Sequence, residues 1–208
     1  MNEEAPQKNV NNRLVGYLNV LNKMAKQGLQ RISSRQLAER SGVRPSVVRR
    51  DLSCFGSMGS SGRGYSIYQL LELLPKKLQL DRVWKVIIIG MGGFGSALVN
   101  DQRFAKQGIE IRLLFDNDLK TIGTKLGSNT VYHVDSIEEK LKGMGIRIAI
   151  ITLQNASVQL IVDRLIGAGI RGIINYTQEK LIVPENVCVH HLDPLMHIQQ
   201  MVPNLDVN

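Results

Sequence analysis

The sequence predicts a two-part α/β protein, a small winged helix-turn-helix domain followed by a doubly wound parallel sheet. Three observations carry that prediction. The apolar run Val86-Ile87-Ile88-Ile89 stops at Gly90-Met91-Gly92-Gly93-Phe94-Gly95, and a helical pattern restarts behind it, the order that opens a parallel β-α-β unit. From Val86 onward, short β-rich runs keep alternating with helix-like stretches. The charge, finally, is unevenly divided. Of a net +8, residues 1–84 hold 14 Lys plus Arg against 6 Asp plus Glu, whereas residues 85–208 hold 12 of each. A basic block beside a neutral one implies a polyanionic partner for the first block, nucleic acid above all.

Composition narrows the class. With 208 residues and 43% hydrophobic content, the chain can build one large core or two small ones. No apolar run approaches the ~20 residues of a membrane span. Residues 1–12 are polar and lack the apolar stretch of a secretory signal. Two cysteines, Cys54 and Cys188, are too few for a disulfide framework or a metal cluster. The expected compartment is the cytoplasm, and no metal is expected.

The basic block reads as helices and a hairpin. Leu14, Leu18, Leu21 and Met24/Ala25 recur at helical spacing, with Gly28 as a stop. In Ile32–Arg40 a serine can cap a short helix whose Leu37 and Ala38 face inward. Ser41-Gly42-Val43-Arg44 makes a turn, and Pro45 suits the first position of a second helix running to about Phe55. On that helix Val48, Leu52 and Phe55 form the inner stripe, while Ser46, Arg49, Arg50 and Ser53 take the opposite face. This is the logic of a helix-turn-helix. Arginine can pair with guanine in the major groove, and arginine and serine can hold phosphates. Arg44 falls at the N-cap, where a cation opposes the helix dipole unless a phosphate lies nearby. The stretch 56–65, rich in Gly and Ser, suits a β-hairpin wing with Arg63 at its tip. Ile67, Leu70, Leu71 and Leu74 resume helical spacing, and Pro75 to Leu80 with Asp81-Arg82 form the hand-over to the second part. A helical bundle with a solvated basic face remains the alternative for this block.

The second part reads as strand 86–89, helix 94–106, strand 109–115, a small segment to Tyr132, helix 136–142, strand 148–153, helix 156–167 and strand 172–175, with a further strand at 187–189. In such sheets ligands lie at the carboxyl ends of the strands. Phe115, Asp116, Thr152, Leu153, Gln154, Asn175 and Tyr176 are therefore candidates to line a site. Gly90, Gly92 and Gly95 form the Gly-x-Gly-x-x-Gly pattern that brings backbone N–H groups and a positive helix end to a pyrophosphate. Asp116 lies 21 residues after Gly95, where it can accept hydrogen bonds from an adenosine ribose, and Asp118 follows it. A carboxylate there favours NAD(H) over its 2′-phosphorylated form. The four histidines, His133, His190, His191 and His197, are not read as ending a strand within reach of a cofactor. With no separate substrate domain either, a ligand-sensing binding domain is expected rather than an enzyme, and no catalytic residue is assigned.

Taken together, the two halves resemble the Rex family of redox-sensing transcriptional repressors from about Arg13 to Gln200. The matching stretches are Arg13-Leu14, Tyr17-Leu18, Arg31-Ile32-Ser33-Ser34, Val48–Ser53 with Phe55-Gly56, and Gly64-Tyr65. In the second half they are Gly90–Gly95, Ala97-Leu98, Phe115-Asp116, Asp118, Ile122-Gly123, Ala168-Gly169-Ile170, Gly172-Ile173, Asn175, Val183-Pro184-Glu185 and Asp193. The resemblance implies a homodimer in which a winged-helix domain (residues 1–82) precedes a Rossmann NAD(H)-binding domain (83–190). A C-terminal helix (191–208) would be exchanged between subunits. It implies repression of fermentation and anaerobic genes, with NADH binding releasing a pseudo-palindromic operator. The residues expected at DNA are Arg13, Arg44, Ser46, Arg49, Arg50, Ser53 and Arg63. Those expected at the cofactor are Gly90, Met91, Gly92, Gly93, Phe94, Gly95, Asp116, Asp118, Thr152 and Leu153.

The chain also departs from the family pattern. Asn19 stands where an arginine is common, and Asn100-Asp101-Gln102-Arg103 replaces a stretch ending in Tyr-Pro. Thr152-Leu153-Gln154-Asn155 replaces Thr-Val-Pro-Ala, and Ser61 stands where a basic wing residue is usual. Pro194 and Pro203 bracket a short last helix, Leu195–Met201. Three alternatives follow: a Rex-like regulator with altered or lost cofactor response, a DNA-binding protein whose second domain is only a dimerisation scaffold, and a small NAD-dependent oxidoreductase.

Overall fold

The computed structural model describes residues 4–53, 55, 59–60, 64–153 and 158–205. The chain forms two compact units, Met1–Arg82 and Val83–Asn208. The first begins with α1 (Glu4–Lys26), whose Leu14, Tyr17, Leu21 and Met24 are buried. A two-residue strand, β1 (Arg31–Ile32), leads into α2 (Ser34–Ser41). Ser33 is its N-cap, and Gln36 reaches back to complete a capping box. Past the turn at Gly42, α3 (Pro45–Ser53) buries Val48 and Leu52 and rests Phe55 against the same core. Strands β2 (Gly59–Ser60) and β3 (Gly64–Ser66) pair antiparallel, and β1 joins the other edge of β3 to give the order β1-β3-β2. Helix, helix-turn-helix and hairpin make a winged helix. The wing tip, with Arg63, lies outside the described residues.

Helix α4 (Ile67–Lys77) closes this core with Ile67, Leu70 and Leu74. Pro75 lies inside it, so the helix runs beyond the hand-over point expected from the sequence. Ser66 caps its start by accepting from the Gln69 N–H.

In the second unit the strands are β4 (Trp84–Ile89), β5 (Ile109–Asp116), β6 (Lys125–Leu126), β7 (Asn129–His133), β8 (Ile148–Ile151), β9 (Gly172–Asn175) and β10 (Cys188–His191). Their order is β10-β9-β8-β4-β5-β7-β6. All pair parallel except β6, which forms an antiparallel hairpin with β7 at one edge. With that hairpin strand set aside, the parallel order is that of a Rossmann fold, reversing between β4 and β8.

Alternation along the strands feeds two cores. Ile87, Ile89, Phe115, Ala149 and Ile151 face one side, under α7 (Ile137–Leu141) and α8 (Val158–Gly167). Ile88, Leu114, Val131 and Ile150 face the other, under α5 (Gly93–Val99) and α6 (Arg103–Lys106).

The single helix expected over 94–106 is two, because Asp101 turns back to accept from the Arg103 N–H at 2.9 Å and restarts the chain after Val99. The segment to Tyr132 is the β6–β7 hairpin. At the C-terminus Asp193 caps α9 (Pro194–Met201) through the Leu195 N–H.

Candidate nucleic-acid and nucleotide sites

On α3 the polar face is open. Ser46, Arg49, Arg50 and Ser53 are exposed, as is Arg44, whose carbonyl accepts from the N–H groups of Val47 and Val48 at 2.9 and 3.3 Å. Arg44 thus holds the N-cap place. Arg49 donates to Ser34 Oγ at 3.2 Å, linking the helix to the start of α2, and Ser53 donates its hydroxyl back to the Arg50 carbonyl. Arg31 donates to the Gly64 carbonyl at 2.8 Å, adding a side-chain bond between β1 and β3 of the wing.

Arg13 is placed differently. Its guanidinium forks onto Asp51 at 2.7 and 2.8 Å, on the inner side of α3, so it meets that helix from behind instead of adding to the open face. Asp51 and Tyr17 were missed as functional candidates. The signal was present: Asp51 falls three residues after Val48, on the apolar stripe, where a carboxylate needs a partner.

The glycine turn sits where the strand order reverses, and its three pattern glycines do three different things. Gly90 has φ +103°, and a Cβ there would lie 2.6 Å from the Leu153 nitrogen. A Cβ on Gly95 would lie 1.8 Å from the Gly90 carbonyl, so this glycine seats α5 against the strand. A Cβ on Gly92 or Gly93 would meet nothing within 4 Å. The fold itself does not demand glycine there; the space lies over the first turn of α5, where N–H groups lack helical partners. Thr152 fixes the turn from β8 by donating to the Gly90 carbonyl at 2.7 Å, and Ser96 donates to the Met91 carbonyl at 2.8 Å.

Two of the expected cofactor residues, Asp116 and Met91, are bonded to each other inside the protein. Asp116 is only 4% exposed. One oxygen accepts from the Met91 N–H at 2.5 Å and the other from the N–H groups of Asn117 and Asp118 at 2.7 and 2.9 Å. It therefore clamps the glycine turn to the end of β5, and Asp118 is exposed beside it. Met91 is buried in the core, and its N–H belongs to Asp116. Leu153 is buried but lines a cavity of about 590 Å³ with Val158, Tyr176, Thr177, Asp193 and Leu195. Phe94, half exposed, packs at a tilt of 53° against Tyr176, with 4.4 Å between ring centres. Gln154 lies outside the described residues.

Two histidines end strands. His133 ends β7 opposite Asp116, and its Nδ1 accepts from the Asp135 N–H at 3.2 Å. His191 ends β10, its Nδ1 3.1 Å from the Asn175 amide nitrogen. The buried Asn175 also donates to the Glu179 carbonyl and accepts from the Thr177 N–H, closing the loop after β9. A second recess, of about 530 Å³, lies between α6, the start of β5 and the β6–β7 hairpin. It is at the opposite strand ends from the glycine turn.

Comparison with known proteins matches both units. A family model described as a putative DNA-binding protein N-terminus covers residues 7–53, and one described as a CoA binding domain covers residues 81–179. The redox-sensing transcriptional repressor Rex of Geobacillus sp. (strain WCH70) is 37% identical over 100% of this chain and 97% of its own. That of Anoxybacillus flavithermus is 39% identical over 97% of this chain and 96% of its own. The chain belongs to the Rex family.

Among solved structures, RSP, a Rex-family repressor, matches in its complex with β-NAD+ and operator DNA. The TM-score is 0.88 at 32% identity, covering 99% of this chain and 93% of that one. Its β-NADH complex matches with a TM-score of 0.83 over 95% of this chain and 92% of that one. The open face of α3 falls within the first family model and the glycine turn within the second. The two halves of a Rex architecture are thus present in order. No helix among the described residues is long and apolar enough to cross a membrane.

Proposed function

We propose that this chain is a DNA-binding transcriptional repressor that senses the balance of NADH and NAD and leaves operator DNA when NADH binds. One observation carries the reading. A cradle open over Gly92 and Gly93 stands at the Rossmann switch point, in a chain whose relative RSP forms complexes with β-NADH and with β-NAD+ plus operator DNA. The residues fit a dinucleotide. The N–H groups at Gly92, Gly93 and Phe94 would meet the pyrophosphate, with Gly90 and Gly95 shaping the approach. Asp118 would accept from the adenosine ribose, and its charge would repel a 2′-phosphate. Asp116 and Thr152 would hold the turn, and Phe94, Tyr176 and Leu153 would flank the cavity at the neighbouring strand ends.

On the DNA side, Arg49 and Arg50 would read base edges. Ser46, Ser53, Arg44 and the wing residue Arg63 would hold phosphates or sugars. Arg13 would act through Asp51. Every large apolar residue of α9 is exposed, with Leu195 at 50% and Ile198 at 57%. We read this helix as the element a second subunit covers, exchanged in a homodimer that presents two recognition helices to a pseudo-palindromic site. The protein is then a cytoplasmic regulator, not an enzyme. His133 and His191 are engaged by Asp135 and Asn175, and neither is assigned a proton-transfer role.

The test is fluorescence anisotropy on a duplex selected from random DNA, with NADH and NAD added separately. NADH should weaken binding and NAD should not. Equal affinity under both would refute the sensing role, and steady turnover of either coenzyme would revive the oxidoreductase.

A further inference from the structure

The recognition helix carries a charge on the face it turns toward the core. Asp51 is 3% exposed, between Val48 and Leu52 at 0% and 1%. A carboxylate buried among such neighbours costs several kcal/mol unless it is matched. Here the match is complete on one side. Arg13 Nε and Nη2 donate to separate Asp51 oxygens, and the Tyr17 hydroxyl donates to Oδ2 at 2.9 Å. Arg13 and Tyr17 are four residues apart, so one face of α1 supplies all three donors.

Apolar packing alone would leave α3 loosely aimed. Val48 and Leu52 share a cluster with Leu14 and Leu21, and such contact is not directional: a small rotation of the helix sacrifices little area. The consequences at the outer face are larger. Turning a helix of ~6 Å outer radius by about 20° moves its rim by roughly 2 Å, enough to break a hydrogen bond. A planar guanidinium forked onto a carboxylate, with a third bond from a second side chain, does not tolerate that rotation. Asp51 follows Arg49 and Arg50 directly, so fixing it fixes them.

We propose that Arg13 and Tyr17 are positioning residues for DNA recognition: with Asp51 they set the rotational register of α3, so that Arg49 and Arg50 meet base edges and not phosphates alone. This rests on the DNA-binding reading above and deepens it. Buried ion pairs contribute little net stability but can fix register, and that separates this role from a merely structural one.

The experiment replaces the set by apolar side chains of similar bulk, Arg13→Met with Tyr17→Phe and Asp51→Leu, in the full-length chain. Thermal stability should hold or rise, and NADH affinity should be unchanged. Binding to random duplex should persist, while discrimination of operator over random duplex should fall by about tenfold, the weight of one bidentate base contact. Arg13→Lys, which keeps the charge without the fork, should fall between. A folded triple variant that discriminates as the parent does overturns the proposal. Should the triple variant not fold, Tyr17→Phe alone leaves the ion pair and removes one bond, and an unchanged discrimination ratio there overturns it equally. A parent that binds no duplex at all sinks the functional reading first, which these ratios would reveal separately.

Discussion

Gly92 and Gly95 look alike in the pattern and differ in what surrounds them. A methyl group on Gly95 would collide with the Gly90 carbonyl, so Gly95→Ala should destabilise the second unit by about 1–3 kcal/mol, as overpacking does. Gly92 has φ −60° and empty space about it. Gly92→Ala should leave stability within about 0.5 kcal/mol of the parent yet weaken NADH binding, because the methyl occupies the approach to the turn. Thermal melts and calorimetric NADH titrations on both variants check the contrast; equal losses of stability would contradict it. A second residue-scale prediction concerns pH. Burial, helped by the bond to Asp51, pushes the Tyr17 hydroxyl up to about 12 from 10.0. Burial also works to raise Asp51, but the bonds from Arg13 and Tyr17 outweigh it and hold the carboxyl below its ordinary value. Stability owed to Tyr17 is therefore whole below about pH 10 and lost as pH rises toward about 12, whereas that owed to Asp51 is whole above about pH 4 and lost on acidification through its lowered pKa. Urea titrations across pH should show both limbs, and Tyr17→Phe should remove the alkaline limb from the first unit's transition. A variant that keeps it would show that Tyr17 is not its source.

At the scale of elements, the open face of α3 makes a salt-dependent prediction. Arg49→Ala with Arg50→Ala should weaken operator binding by at least about tenfold, with a shallower dependence on salt if either arginine also neutralises a phosphate. Operator affinity equal to the parent's at physiological salt would remove α3 from the interface. The winged helix was legible in the sequence because each boundary has a local chemical cause: Ser33 as cap, Gly42 as turn, Pro45 as first helical residue, and the Val48/Leu52 stripe. The parallel sheet was legible because buried strands are continuous apolar runs. What stayed hidden depends on contacts between distant positions. Asp116 reads as a ribose acceptor at the right spacing, and only the fold brings Met91, Asn117 and Asp118 N–H groups around it. Arg13 reads as one more cation of a basic block until Asp51 is found opposite. Asp101 breaks α5 from α6 through a bond to Arg103 that helical periodicity does not register. His133 became a strand end only when residues 125–133 paired as a hairpin, a register set by tertiary contact.

For the whole molecule, the exposed apolar surface of α9 and the residues flanking it predicts association. Leu192, Leu195, Ile198, Met201 and Val202 are each more than a third exposed, more than a monomer gains by leaving in water. Truncation before Asp193 should convert a dimer to a monomer in sedimentation velocity and lower operator affinity sharply, since one half-site contact remains. A truncated chain that still sediments as a dimer would place the interface elsewhere. Coupling of coenzyme occupancy to DNA binding is reciprocal by linkage: the factor by which NADH weakens operator binding must equal the factor by which operator weakens NADH binding. The direct measurement is NADH affinity by calorimetry on the same preparation with and without saturating operator duplex. NADH should bind more weakly in the presence of operator, by the factor seen in the DNA titration; the same NADH affinity in both would show that the two sites are not coupled.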